Sequence, residues 1–510
     1  MAQISVANLT FGYEGSFDTV FEDVSFSIDT NWKLGFIGRN GKGKTTFLRL
    51  LLGGHAYSGS ISGEIPFDYF PYEISPGQQG LCATELAGEV KPGCEEWRIL
   101  CELAKLNAGA ELLYRPFGTL SHGERTKLLL AILFSGEQDF LLIDEPTNHL
   151  DREARETVKK YLHEKKGFIL VSHDRDLLDA CVDHVLVLNR KSIEVQSGNF
   201  SSWWENKSRQ DHFAKTENEK HLREIASLKK AAERGGRWAQ KSENSKIGID
   251  PIKDHDRGNG TRPYIGAKTK KLEKRVKAYE KRLEREMEVK EGLLQDLEDP
   301  APLKLLPLEY HRERLVYGTA LTLGYAKRAE GVLKDFSFEL KRGERVFLNG
   351  GNGSGKSTFL KALLAACGVC EKDGERPEIR TGELQAGAGL VVSYISQETG
   401  FLRGGIKEFC RKRGLDESLF CALLRKLDIG RTQFSKSMEE FSEGQKKKVL
   451  IAASLMTPAH LYIWDEPLNY VDVFSRMQIE ELLLSAAPTM LLVEHDVRFR
   501  ERIAMRIVEL

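Results

Sequence analysis

Long apolar runs are missing from this 510-residue chain, and a membrane-spanning helix with them, since no stretch nears the roughly 18 to 20 apolar residues that a bilayer requires. The opening residues, Met1 to Phe11, read as a strand and carry no signal-peptide core, so a cytoplasmic location is expected. Net charge is missing too: 75 Lys and Arg balance 75 Asp and Glu, so any nucleic-acid affinity has to come from local charge segregation. Cysteine is sparse, and the eight residues sit mostly in apolar or helical stretches without a disulfide-like framework. Cys367 and Cys370 make a C-x-x-C, but no second pair at zinc-ligand spacing accompanies it, so buried or incidental thiols are expected there. The length and apolar content suit two or three filled cores.

What is present begins with an internal repeat. Asn8-Leu-Thr-Phe-Gly-Tyr13, Val24-Ser-Phe-Ser and a glycine-rich loop recur as Ala320-Leu-Thr-Leu-Gly-Tyr325, Phe336-Ser-Phe-Glu and a second such loop. The offset is about 312 residues for Lys44/Lys356 and about 321 for later pairs, which predicts two similar domains, 1–198 and 301–510, around an insert at 199–300. Each loop follows an apolar strand and opens an apolar helix, the setting that gives G-x-x-x-x-G-K-[ST] its meaning. Gly38, Asn40, Gly41 and Gly43, and Gly350, Asn352, Gly353 and Gly355, let backbone N–H groups wrap phosphates. Lys44 and Lys356 reach the outer phosphates, Thr45 and Ser357 are placed to ligate Mg²⁺, and Thr46 and Thr358 close each motif. The fold class is therefore α/β, with two P-loop nucleotide-binding domains for ATP.

Downstream, Phe140-Leu-Leu-Ile-Asp144-Glu145 and Leu461-Tyr-Ile-Trp-Asp465-Glu466 bring two carboxylates to a strand's end. Asp144 and Asp465 are the metal-side acids, and Glu145 and Glu466 the candidates to position or deprotonate water. Leu120-Ser-His-Gly-Glu124 pairs with Phe441-Ser-Glu-Gly-Gln445, and His173 with His495, each histidine following a β-rich strand.

Together these motifs resemble the ATP-binding-cassette family. The resemblance implies two head-to-tail composite sites in one monomer: Lys44 and Glu145 with Ser442 and Gly444, and Lys356 and Glu466 with Ser121 and Gly123. It implies that His173 and His495 sense the γ-phosphate, that Asp151 and Asp472 lie at the cassette seam, and that Tyr13 and Tyr325 stack on adenine, although lone tyrosines near strand ends also suit core filling. The family places a glutamine on magnesium after a central strand; Gln397 in Tyr394-Ile-Ser-Gln397 matches, whereas Tyr69-Phe-Pro-Tyr72 ends in tyrosine.

The insert carries apolar residues at Leu272, Val276, Tyr279, Leu283, Met287, Leu294 and Leu297, spaced largely by three and four. With Leu222, Ile225, Leu228 and Ala232 on the other arm, this predicts an antiparallel α-helical hairpin, a coiled coil, joining the cassettes. Glycines and prolines mark its tip at about 241–267. Between Lys229 and Arg282 basic residues exceed acidic ones by roughly ten. That excess fits a solvated face; interleaved with apolar and planar groups it also suits insertion into folded RNA. The tip candidates are Trp238, Lys241, Lys246, Ile247, Ile249, Lys253, Arg257, Arg262, Tyr264 and Lys268.

At full length the chain resembles the bacterial ABC-F proteins, and Phe-Ser-Glu-Gly-Gln-Lys-Lys-Lys-Val-Leu-Ile-Ala at 441–452, Trp-Asp-Glu-Pro-Leu-Asn-Tyr-Val-Asp at 464–472, Lys246-Ile-Gly and Tyr264-Ile-Gly look like their Lsa-type antibiotic-resistance group. That resemblance implies a 70S ribosome partner, with large-subunit rRNA near the exit site and peptidyl-transferase centre and with peptidyl or initiator tRNA. It implies protection against lincosamides, streptogramin A and pleuromutilins. A housekeeping ABC-F translation factor, a DNA-associated ATPase and a transporter subunit are the alternatives, and the long tip, the absence of a zinc-interrupted coil and the fused basic hairpin weigh against them in turn.

Overall fold

The computed structural model describes residues 3–13, 19–41, 43–63, 65–136, 139–148, 150–188, 193–247, 304–326, 331–351, 353–369 and 376–510, with helical residues at 274, 278, 279, 281 and 282; for 231–247 it describes the backbone alone. The chain divides into two compact units, Met1–Trp203 with Ala301–Leu510, and Trp204–Pro300.

In the first half of the larger unit, β1 (Gln3–Gly12), β2 (Thr19–Asp29) and β4 (Ser58–Ser62) form an antiparallel sheet in the order β2-β1-β4. The main sheet takes β3 (Lys33–Gly38), β5 (Phe67–Phe70), β6 (Phe140–Asp144), β7 (Phe168–Val171), β8 (His184–Leu188) and β9 (Ile193–Ser197) in the order β5-β6-β7-β3-β8-β9. Its central strands are parallel and almost wholly apolar because both faces are covered, one of them by α1 and the antiparallel sheet, so β6 and β7 read as continuous runs such as FLLI and FILV.

The second half repeats this plan. β10 (Arg314–Gly324), β11 (Leu333–Lys341) and β13 (Glu378–Ala386) make the antiparallel sheet, and β12 (Arg345–Asn349), β14 (Val392–Ile395), β15 (Leu461–Asp465), β16 (Met490–Val493) and β17 (Arg506–Glu509) make a parallel one in the order β14-β15-β16-β12-β17. Backbone detail repeats as well: left-handed residues occur at Asn8 and Ala320, at Asp23 and Asp335, and at Glu145 and Glu466.

The helices of cassette 1 are α1 (Lys44–Leu51), α2 (Ala83–Val90), α3 (Glu96–Lys105), α4 (His122–Leu133), α5 (Arg152–Glu164) and α6 (Arg175–Cys181). After them α7 runs from Phe200 to Ile247, 48 residues or roughly 70 Å of helix, and separates the two cassettes in the chain. It carries through Lys241–Ile247, where the sequence reading begins the tip; that heptapeptide holds no glycine or proline. Of the expected seam, Ile225 is buried while Leu222 and Tyr279 are half exposed; Leu272, Val276, Leu283, Met287, Leu294 and Leu297 lie outside the described residues. Cassette 2 contributes α8 (Lys356–Ala366), α9 (Ile406–Arg413), α10 (Glu417–Lys426), α11 (Glu443–Met456), α12 (Val473–Ala486) and α13 (Val497–Ile503).

The cassettes meet along α6, α12 and α13. Asp176 and Arg498 each stand three residues after their cassette's histidine, and they bond each other at 2.8 Å. Equivalent positions in mutual contact mark a pseudo-two-fold axis. Two identical chains would set like charges there; the duplicated chain sets opposite ones. Arg175 adds a buried fork onto Glu480 of α12, one arm at 3.2 Å.

Candidate functional site

Each phosphate loop is built by a strand ending against a helix start. Gly43 and Gly355 hold φ of 108° and 101°, a conformation costly for any side chain, and turn the chain so that α1 and α8 begin at the lysine. The unpaired N–H groups of each first turn then face the loop. Lys44 Nζ donates to Gly38 O at 2.6 Å, and Lys356 Nζ to Gly350 O and Gly351 O at 2.8 Å. Burial lowers both ammonium pKa values, partly offset by the nearby carboxylates. Tyr13 and Tyr325 are tied to these loops through Thr46 Oγ1 at 2.7 Å and Thr358 Oγ1 at 3.3 Å, and Tyr13 remains half exposed. Asn352 lies outside the described residues.

The carboxylate pairs stand at the ends of β6 and β15. Thr45 Oγ1 donates to Asp144 Oδ2 at 3.0 Å. Glu145 and Glu466 follow in left-handed backbone, φ 51° and 47°, each N–H bonding the neighbouring strand at 2.9 Å. Strained backbone of this kind clusters at working sites. His173 Nε2 lies 3.4 Å from Glu145 Oε1, and His495 Nε2 3.3 Å from Glu466 Oε1.

The electrostatics of the two pairs differ. Burial, then the charge of Asp144, pushes Glu145 up to about 8. Burial would also raise Glu466, but His495, Lys447 and Lys356 outweigh it and hold the group below its ordinary value, while burial and the charge of Glu466 push Asp465 up to about 7. His173 falls well below the ordinary histidine value through burial and then the charges of Lys44 and Arg476, so its ring is neutral near pH 7. Glu145 Oε1 is buried without a hydrogen-bond partner, an acceptor suited to a water. The Asp144 carboxylate and Thr45 hydroxyl form an all-oxygen donor set beside a phosphate loop, the kind that Mg²⁺ takes.

Around Lys44 the opposite cassette is close. Asn40 Nδ2 donates to Tyr470 O at 2.7 Å, and a Cβ on Gly444 would stand 2.4 Å from that oxygen and 3.2 Å from Asn40 Nδ2. Arg39 lies 3.6 Å from Asp428 and over the Phe474 ring, and Asp472, paired with Lys448 at 2.6 Å, acts electrostatically on Lys44. Ser442 caps α11 through a capping box with Gln445, as Ser121 caps α4 with Glu124, because a helix start needs an acceptor for its free N–H groups. Asp151 and Asp472 cap α5 and α12 in the same way.

Around Lys356 the arrangement is looser. A cavity of about 340 Å³ opens there, lined among others by Tyr325, Gly353, Ser357, Gln397 and Glu466, all from cassette 2. A Cβ on Gly123 would meet Leu150 alone, at 3.9 Å.

The loop after β5 carries tyrosine where cassette 2 has Gln397, as the sequence shows. Tyr72, placed by register opposite Gln397, turns away and donates to Asp68 Oδ2 at 2.7 Å, because Asp68 and Lys91 form a polar cluster that draws it in. Tyr69, given no role by the sequence reading, donates to Asp144 Oδ2 at 3.2 Å. Gln397, expected on the metal side, donates to Glu466 Oε2 at 3.0 Å. Sequence reasoning also missed Arg39, Tyr470 and the Arg175–Glu480 fork, since such pairings join positions hundreds of residues apart. Trp238, Lys241, Lys246 and Ile247 lie on the α7 backbone; Ile249, Lys253, Arg257, Arg262, Tyr264 and Lys268 fall outside the described residues.

Comparison with known proteins adds four findings. The family model described as ABC transporter matches residues 21–148 and 333–469. The ribosome protection protein VmlR of Bacillus subtilis is 26% identical over 96% of this chain and 84% of its own length. The energy-dependent translational throttle protein EttA of Haemophilus influenzae is 25% identical over 96% of this chain and 89% of its own. Among solved structures, the complex of archaeal ribosomal stalk protein aP1 with the archaeal ribosome recycling factor aABCE1 superposes with a TM-score of 0.59 at 19% identity, covering 98% of this chain and 87% of that one, a likeness of fold.

Proposed function

We propose a function from the premise that this chain belongs to the ABC transporter family, whose model matches both cassettes. It is a two-cassette ATPase. No helix among the described residues is long and apolar enough to cross a membrane, and a long helix follows cassette 1 instead. The reading supported best is a cytoplasmic ABC-F ATPase that binds the 70S ribosome and confers resistance to lincosamides, streptogramin A and pleuromutilins. Its interdomain segment enters the tRNA exit site, contacts tRNA and large-subunit rRNA, and dislodges drug from the peptidyl-transferase centre; hydrolysis drives release. The observation that carries this reading is the near-full-length alignment with a ribosome protection protein, running through both cassettes and the insert. The equally extensive likeness to a translational throttle protein supports the second reading, a housekeeping factor acting on ribosome-bound tRNA.

In the proposed chemistry, Lys44 and Lys356 exchange loop carbonyls for the outer phosphates of ATP, and Ser442 with Gly444, and Ser121 with Gly123, close on the γ-phosphate from the opposite cassette. Tyr13 and Tyr325 stack on adenine. Glu145 and Glu466 hold the attacking water in line, while His173 and His495 orient those carboxylates and sense the phosphate. Asp144 with Thr45, and Asp465 with Ser357 and Gln397, would hold Mg²⁺, which supplies charge compensation for the phosphates.

Removing a general base costs about 10² to 10⁴ in rate. The double variant Glu145→Gln, Glu466→Gln is therefore expected to bind ATP, stay closed and cosediment with ribosomes only when ATP is present. Sedimentation that ignores ATP, or retention on duplex DNA instead, refutes the ribosomal reading. Deleting residues 245–265 separates the two ribosomal readings: lost drug protection with retained ribosome binding supports resistance, and unchanged protection refutes it.

A further inference from the structure

We propose that the Tyr69 hydroxyl is the positioning group for the metal-side carboxylate of the Lys44 site, replacing in cassette 1 the loop contact that the Gln397 amide makes with the carboxylate pair in cassette 2. This goes beyond the ribosomal reading and rests on the Mg²⁺ assignment alone.

The two loops start alike. Tyr69 pairs with Leu142 across β5 and β6, and Tyr394 with Ile463 across β14 and β15, so both tyrosines stand at one register, two residues short of the level of the metal-side aspartate. The third residue beyond each then goes a different way. Gln397 reaches forward to Glu466, at 3.0 Å. Tyr72 is held back: its hydroxyl donates to Asp68, whose carboxylate is 2.7 Å from Lys91 Nζ, and the same ammonium lies 2.9 Å from Asp139 and donates to Leu133 O at 2.9 Å. A phenol committed to that cluster cannot serve Asp144 as well.

Tyr69 fills the role from the strand itself. Its hydroxyl and that of Thr45 donate to one oxygen, Asp144 Oδ2, at 3.2 and 3.0 Å. Two donors on Oδ2 fix the carboxylate's rotation. An aromatic arm with two torsions, rooted in a sheet, loses less entropy in holding a ligand than a loop glutamine with three. The carboxylate of this site is thus set before nucleotide arrives, whereas Gln397 acts on the second carboxylate of its own site.

The test uses the full chain with Lys356→Ala to silence the other site. A fluorescent ATP analogue is titrated at rising Mg²⁺, and Mn²⁺ replaces Mg²⁺ for electron paramagnetic resonance. Tyr69→Phe keeps the ring and removes one charge-assisted hydrogen bond; it is expected to raise the half-saturating metal concentration about tenfold and to alter the Mn²⁺ spectrum. Nucleotide affinity without metal should stay unchanged. Tyr72→Phe, with a thermal melt to confirm folding, should leave metal concentration and spectrum as in the parent. An unshifted Tyr69→Phe overturns the proposal, and so does an equal shift in Tyr72→Phe, which reads independently of how Tyr69→Phe folds. A parent chain whose nucleotide binding ignores metal refutes the Mg²⁺ assignment instead, so the two failures are distinguishable.

Discussion

Replacing Arg175 by methionine should loosen the closed cassette pair and leave each cassette folded. Arg175 donates through both terminal nitrogens to Glu480, a fully buried carboxylate of the opposite cassette, and also lies 3.8 Å from Asp496. Removing one partner of a buried pair costs about 3 to 5 kcal/mol because a charge is left without compensation. Glu480 keeps a second partner, Arg502 at 3.1 Å, so only part of that cost is felt. We expect about 2 kcal/mol, or roughly a 30-fold increase in the ATP concentration that half-closes the cassettes. Fluorescence energy transfer between dyes on the two cassettes reads that midpoint. Glu480→Gln and the double variant complete a cycle whose coupling should exceed about 1 kcal/mol. Additive effects, or a shift below threefold for Arg175→Met, would show that the fork does not seat one cassette on the other.

Gly444→Ala should lower the melting temperature and open the Lys44 site, since its Cβ would lie 2.4 Å from Tyr470 O, while Gly123→Ala, 3.9 Å from its nearest neighbour, should melt like the parent; equal melts would contradict the packing. Arg498→Ala, which frees Asp176, Asp179 and Ser201 at the foot of α7, should shift closure by a few-fold at most because its guanidinium is one-third exposed and solvent screens the loss. Acid should act through Asp472. Burial alone would raise its pKa, but Lys448 and the Ser475 N–H outweigh that and hold it below the ordinary aspartate value. A depressed carboxylate stabilises above its unfolded pKa, about 3.9, and loses that contribution as pH falls through the folded value. Cassette 2 should therefore lose melting temperature from about pH 4 downward, and Asp472→Asn should be less stable at neutral pH and flatter in acid; parallel melts of both chains would exclude this pair as a source of acid sensitivity.

The repeat was readable because its signals are local. A glycine with φ near 100° at the start of α1 or α8, an apolar strand ending in Asp-Glu and a serine three residues before Glu or Gln each depend on neighbours within a few positions. The loop after β5 showed in the sequence only that Tyr72 stands where cassette 2 has Gln397; Lys91 and Asp68 settled where that hydroxyl bonds, and Tyr69 took the carboxylate. The early end given to the first helical arm came from treating the tip as one glycine-rich block, although its opening residues have no breaker.

Local chemistry in this chain thus sufficed to specify two nucleotide cassettes and the residue types that face phosphate. The sequence already set Tyr72 against Gln397, but the rest of the inequality between the two sites came from the fold. Asn40 against Tyr470, Arg175 on Glu480 and Asp176 on Arg498 join residues about 300 to 430 positions apart, and no spacing rule links such residues. Duplication made the motifs alike, but packing around a pseudo-two-fold axis put unlike side chains face to face, so one site is filled by its neighbour and the other keeps an open cavity.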